Sequence, residues 1–180
     1  MRTCKNCKSK FEQVRSNQIV CSPLCAYDYQ KKQKAKQWNK EKKERKEKLK
    51  TRSEHLNELQ VIFNAFIRER DKNEPCISCG KIFKPNEKRD ASHYRSVGST
   101  PELRFCEENV YSACVHCNQH LHGNLIEYRK RLVEKFGVYL VDWLESNHEP
   151  KHYSIEDIKE LKEHYKNETK LIKQSRQGTL

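Results

Sequence analysis

Apolar positions are distributed very unevenly along this chain. From Ala26 to about Arg52 it runs in Lys, Gln, Glu and Arg with no Gly or Pro. Such residues favour helix, and pairs like Glu41/Arg45 stand one turn apart. Apolar residues are too sparse there for a coiled-coil seam. The stretch predicts a solvated basic helix that would extend roughly 40 Å if continuous. Beyond Ser53 the pattern changes. Leu56, Leu59, Phe63, Phe66 and Ile67 recur at three- and four-residue spacing, which predicts an amphipathic helix over 53–70, stopped by Glu74-Pro75. Two short strands are expected near 89–94 and 109–113, with a helix from about 118 that carries Leu125, Tyr128 and Leu132 as core. Gly123-Asn124 either interrupts that helix or starts a new one, with Asn124 as cap and Glu127 at the third helical position. Further helices are expected at 138–145 and 155–174, the last opened by the Ser154-x-x-Asp157 capping pair.

Composition limits what these elements can build. Of 180 residues, 34% are hydrophobic and another 34% charged. That is too little apolar material for one large core, so part of the chain must be solvated helix or be held by metal. No run of 18 apolar residues exists, and Cys4 and Cys7 occupy the place of a signal-peptide apolar region. A soluble cytoplasmic protein with no membrane contact is expected. The net charge of +12 points to a polyanion partner, and its distribution sharpens this. Residues 31–50 hold ten Lys and one Arg against three Glu, a net +8. Lys31, Lys32, Lys34, Lys36, Lys40, Lys42 and Lys43 are the expected phosphate contacts; the competing reading is a charged spacer.

Eight of the nine Cys fall into close pairs: Cys4/Cys7, Cys21/Cys25, Cys76/Cys79 and Cys114/Cys117. In a reducing compartment this spacing reads as two structural Zn²⁺ sites of four Cys each, rather than disulfides. Cys106, beside Phe105, reads as a small buried residue. In the first site, residues 11–20 can supply a short hairpin. Ser22-Pro23 is a helix-start pair that should let Cys25 project from the first turn. A knuckle, a hairpin and a ligand-bearing helix start make a treble-clef-like finger. Around the second site, two strands and a helix make a ββα unit. The fold class expected is therefore α+β, small and zinc-stabilised. Its parts are a finger over 1–28, a Lys-rich helical linker over 29–52 and a zinc-stapled domain with flanking helices over 53–180.

Cys76-x₂-Cys79, His93, Asn109 and Cys114-x₂-Cys117-Asn118 together resemble a His-Me finger (HNH-like) nuclease above a structural zinc. The wider pattern resembles the lambda-type phage recombination nuclease family called NinG or Rap. It includes the N-terminal Cys-rich finger, the Lys-rich helix, Asn64-Ala-Phe-Ile-Arg-Glu-Arg-Asp71, Pro75-Cys-Ile-Ser-Cys-Gly80 and Cys117-Asn-Gln-His120. The resemblance implies a metal-dependent endonuclease on branched recombination intermediates, of Holliday-junction or D-loop type. It also implies a phage or prophage protein in a bacterial cytoplasm, with a host or phage recombinase as a further partner. Cutting both strands of a symmetric junction would suit a homodimer.

The chemistry of those residues fits such roles. Phosphodiester hydrolysis needs a base near neutral pH and charge neutralisation at the phosphate. His93 has the pKa of a general base and is not needed by either zinc. Asn109 is expected to accept from the imidazole Nδ1–H and orient the ring. A divalent cation, Mg²⁺ with Mn²⁺ able to substitute, takes oxygen ligands, and Asn118 at a helix start offers one. His122 lies four residues on, so an unbroken helix would put it on the same face. Arg95 and Arg104 are expected phosphate clamps. In many His-Me enzymes an Asp or His metal ligand immediately precedes the base; here it is Ser92, and Asp90 is the nearest carboxylate. His116 is expected to be an exposed bystander, and His120 either a surface His or a metal or phosphate contact. The alternatives are a non-catalytic two-finger DNA-binding or recombination accessory protein, and a zinc-scaffolded RNA-binding factor. The latter is disfavoured by an aromatic content of 9%.

Overall fold

In the computed structural model, residues 1–177 are described, and they form a mixed assembly of helices and two small sheets. The chain divides into two compact units, Met1–Lys50 and Thr51–Leu180.

In the first unit, β1 (Arg2–Thr3) pairs antiparallel with β2 (Lys10–Phe11), with Arg2 opposite Phe11. The pairing therefore brackets the Cys4–Cys7 knuckle instead of falling within 11–20, as the sequence suggested. Residues 13–18 form a loop because two amides supply its bonds. Gln13 Nε2 donates to the Gln18 carbonyl (2.8 Å), and Val14 N–H donates to Gln18 Oε1 (2.9 Å). The helix α1 (Pro23–Lys48) begins as its start signal predicts: Cys25 N–H donates to Ser22 Oγ at 3.2 Å and Pro23 occupies the first turn. None of its residues is buried.

The second unit opens with α2 (Arg52–Arg70), whose cap was not read from sequence. Thr51 and Glu54 form a reciprocal capping box, each side chain bonding the other's backbone N–H. β3 (Arg89–His93) pairs antiparallel with β4 (Val110–Cys114), from Arg89 opposite Cys114 to His93 opposite Val110. Then come α3 (Leu125–Phe136), α4 (Val138–Glu145) and α5 (Ile155–Gln177). The start of α5 shows the predicted capping pair, with Ser154 N–H donating to Asp157 Oδ2 (2.8 Å) and Asp157 N–H to Ser154 Oγ (3.1 Å). Among the described residues no helix is long and apolar enough to cross a membrane.

The hairpin lies between two apolar clusters, and strand alternation explains why. One face carries Ala91 and Val110 into the α2–α5 cluster, where Phe63 meets Phe105 and Tyr165 edge-on at 5.7 and 4.9 Å. The other face carries Tyr111 and Ala113 into a cluster with Tyr128 and Leu132 of α3 and Val141 and Leu144 of α4. Every residue of β4 is buried. Leu125, expected in the core, is instead 48% exposed, because α3 starts at that residue and reaches the hairpin only one turn later, at Tyr128.

Candidate functional site

The eight paired cysteines form two tetrads, and within each the four sulfurs lie within 4.8 Å of one another. Four thiolates bound tetrahedrally at the usual Zn–S length sit about 3.8 Å apart. The measured separations Cys7–Cys21 (3.6 Å), Cys21–Cys25 (3.5 Å) and Cys79–Cys114 (3.9 Å) match that figure. Backbone N–H groups also point at the sulfurs: Cys21 N–H at Cys4, Cys114 N–H at Cys76 and Cys117 N–H at Cys114. Burial opposes charge on Cys4, but N–H donors from Cys7, Cys21 and Asn6 outweigh it and bring its pKa down to about 6. The two donor sets fit zinc. Cys106 stands apart, half-buried, its thiol pushed up to about 11 by burial and the nearby Glu108 carboxylate.

His93 ends β3 with its imidazole partly buried. Its Nε2 lies 2.9 Å from the Arg104 carbonyl. A carbonyl can only accept, so Nε2 carries the hydrogen and the neutral ring presents a lone pair at Nδ1. Burial holds its pKa below the usual 6.5, opposed by the Arg104 carbonyl and aided by the Arg104 charge. Arg104 is fixed in turn, with Nε donating to Gln60 Oε1 at 2.7 Å and the guanidinium over the Phe105 ring. Gln60 was not singled out from sequence, since it sits beside Leu59 as an ordinary polar residue.

Asn109 does not orient the imidazole. It is fully buried in the turn before β4, and its amide closes the 95–103 loop. Oδ1 accepts from Arg95 N–H (2.8 Å), while Nδ2 donates to the carbonyls of Arg95 (3.0 Å) and Leu103 (3.1 Å). None of these bonds goes to the His93 ring. The Arg104 carbonyl, one residue beyond that loop, takes the orienting role instead. Arg95 is half-buried, and its Nε lacks a hydrogen-bond partner.

Asn118 and Asp90 do meet: Asn118 Nδ2 and Gln119 Nε2 both donate to Asp90 Oδ2, at 3.1 and 2.7 Å. His122 does not join them through a shared helix. A single wide π-helical turn over His116–His120 ends before it, and His122, Gly123 and Asn124 all take positive φ before α3 begins. Asn124 precedes α3 but makes no side-chain cap; its amide faces Cys117 Sγ at 3.8 Å. His116 and His120 are exposed, their rings 5.8 Å apart. Asp90 and His93 occupy opposite faces of β3, three residues apart, or about 10 Å along the strand. Ser92 faces α3 with Asp90. Its carbonyl accepts from Tyr128 Oη (2.8 Å), and its buried hydroxyl has no hydrogen-bond partner.

A carboxylate and an amide oxygen suit Mg²⁺ in kind. On α1, Lys31, Lys32, Lys34, Lys36, Lys40, Lys42 and Lys43 are all exposed, with Lys32 donating to Asn6 Oδ1 at 2.7 Å.

The family model for the Bacteriophage Lambda NinG protein matches residues 1–175. The chain belongs to the NinG family. "Protein ninG" of Escherichia phage lambda is 38% identical over 195 residues, covering 97% of this chain and 95% of that protein. "Protein ninG" of Salmonella phage P22 gives the same figures, and that of Enterobacteria phage H19B is 39% identical over 193 residues. No solved structure matches the chain. The NinG match thus takes in both cysteine tetrads, the Lys-rich helix, and the hairpin with His93.

Proposed function

We propose that this NinG-family chain is a divalent-metal-dependent endonuclease of the His-Me finger type, acting on branched DNA. The observation that carries the reading is His93. A polar ring is held partly buried at the end of a strand, needed by neither tetrad, with its tautomer set by the Arg104 carbonyl. A neutral imidazole with a free Nδ1 can take a proton from water as the water oxygen attacks phosphorus and the bond to the leaving oxygen breaks. Arg104, whose carbonyl holds the ring, brings positive charge to the same place. The hairpin followed by a turn and α3, with a Cys₄ site at its base, supports a ββα-metal fold.

Asp90 and Asn118 are the residues that would hold a cation, which when bound would neutralise phosphate charge. The proton transfer at His93 is independent of where that ion sits. Branched substrates, a homodimer and a recombinase partner come to this reading from the family resemblance; the residues themselves call for nucleic acid.

The test compares cleavage of a four-way junction, a flap and a plain duplex in Mg²⁺ or Mn²⁺. His93→Ala should lower the cleavage rate by about 10²–10⁴-fold, the usual worth of a general base, with DNA affinity and zinc content kept. Wild-type cleavage should fall on the acid side as His93 protonates, with a midpoint below 6.5. A wild-type protein that binds DNA but cuts none of the three would instead favour the non-catalytic accessory reading. Unchanged cutting by His93→Ala would remove His93 from the chemistry.

A further inference from the structure

Helix α1 is more than a row of charges. Two large aromatic side chains stand out on it, Tyr27 at 65% and Trp38 at 58% exposure, on a helix that buries no residue. At 100° per residue, Tyr27, Lys31, Lys34, Trp38 and Arg45 fall within a wedge of about 60°. They form a stripe on which ring, ammonium, ammonium, ring and guanidinium follow in order. Tyr27 and Trp38 are separated by about 16 Å along the axis, with the two lysines between them. The Arg45 guanidinium lies 5.4 Å from the centre of the Trp38 ring. Tyr27, Gln30, Lys31 and Lys34 border a shallow recess of about 230 Å³. Glu41 is the one acid at the edge of the stripe, and it is engaged by Gln37 Nε2 (2.8 Å) and Arg45 (3.7 Å).

Neither core packing nor duplex binding accounts for these rings. A helix that only tracks duplex phosphates gains from Lys and Arg, and from a polar tip such as a Tyr hydroxyl, but makes no use of exposed ring faces. A groove that follows an unpaired strand uses both, because every base has a face that stacks on an aromatic ring while cations meet the phosphates between. The net +8 of residues 31–50 makes the surface complementary to a polyanion and argues against an apolar protein partner for the same rings.

We propose that the Tyr27–Lys31–Lys34–Trp38–Arg45 face of α1 binds single-stranded DNA, stacking bases on Tyr27 and Trp38. The inference rests on the DNA reading above and adds to it a preference for unpaired strand, such as a branch point exposes.

The test uses the full chain without added divalent cation, and a labelled dT oligonucleotide alongside a duplex of equal length. Trp38→Ala and Tyr27→Ala should each weaken binding to the dT strand at least about fivefold, and change duplex binding less than twofold. In a Trp143→Phe background, where Trp38 is the only indole, dT should quench the emission, with the duplex doing so much less. α1 buries neither ring and Ala is the better helix former, so helix content by circular dichroism should hold in every variant. Equal losses on both DNAs, or no loss on either, would overturn the stacking role. Binding to duplex with no response to dT would overturn it while leaving the DNA reading intact. Failure of the unaltered chain to bind either DNA would overturn both.

Discussion

Asn109 shows how far a residue type alone can be read. Its polar side chain beside a strand looked like a partner for His93, yet all its bonds go to the 95–103 loop. Those partners lie 14 and 6 positions away, and nothing in their side chains announces them, because the atoms involved are backbone. What could be read of His93 is narrower: once eight cysteines are assigned in pairs, a histidine between them has no zinc to serve, and it lies outside both tetrads. Its actual partner, a carbonyl, was again invisible in the sequence. Asn109→Ala should therefore act first on stability. Leaving the Arg95 and Leu103 backbone groups unpaired costs about 2–3 kcal/mol, which urea unfolding should register as a lower midpoint. Cleavage, if present, should be lost in step with the folded fraction, with no change in the pH of its acid limb. A shifted acid limb in still-folded protein would restore the ring-orienting role to Asn109.

At the level of elements, helices were the most readable and their junctions the least. α1, α2 and α5 follow from Lys-rich composition, three-four periodicity and caps, all local signals. The helix expected from 118 failed at one place, where His122, Gly123 and Asn124 turn left-handed so that the chain leaves Cys117 and re-enters at α3. Glycine and asparagine hinted at this break, while the histidine did not. The knuckle of the second tetrad has a similar requirement. Gly80 sits at φ +71, and its N–H closes on the Cys76 carbonyl at 2.8 Å. Gly80→Ala should cost about 1 kcal/mol from that backbone conformation. An added Cβ would also meet the Arg131 guanidinium, whose flexible end can swing away. The expected outcome is a lower unfolding midpoint and faster zinc release from the second site, against an unchanged Gly98→Ala control. Equal behaviour of the two variants would mean that the knuckle tolerates the strain.

For the whole molecule, charge placement was fully legible and assembly was not. The sequence shows a +12 chain with most of the excess in one segment, but not that α1 belongs with the first tetrad as one unit. Nor does it reveal that one hairpin serves two cores, since that depends on which strand face meets which helix. The charge itself makes a prediction. Replacing Lys31, Lys32, Lys34, Lys36, Lys40, Lys42 and Lys43 with Gln should weaken binding to every DNA. If the helix neutralises about four phosphates, the log–log salt slope should become shallower by roughly 3 to 4. Folding should survive, because Gln and Lys have nearly equal helix propensity. An unchanged slope and affinity would make the segment a spacer.

The second tetrad also sets a schedule. Its two halves, Cys76/Cys79 and Cys114/Cys117, enclose β3, the Asn109-stapled loop and β4. A metal ion joining them would remove roughly 3–4 kcal/mol of loop entropy from the open chain. During synthesis, the first half leaves the ribosome well before the second. Until Cys117 has emerged, β3 has neither its partner strand nor the closure that brings it near, and an ion on Cys76 and Cys79 is held by only two sulfurs. With zinc bound there, the hairpin would be a late event in the folding of each new chain, waiting on translation and metal together.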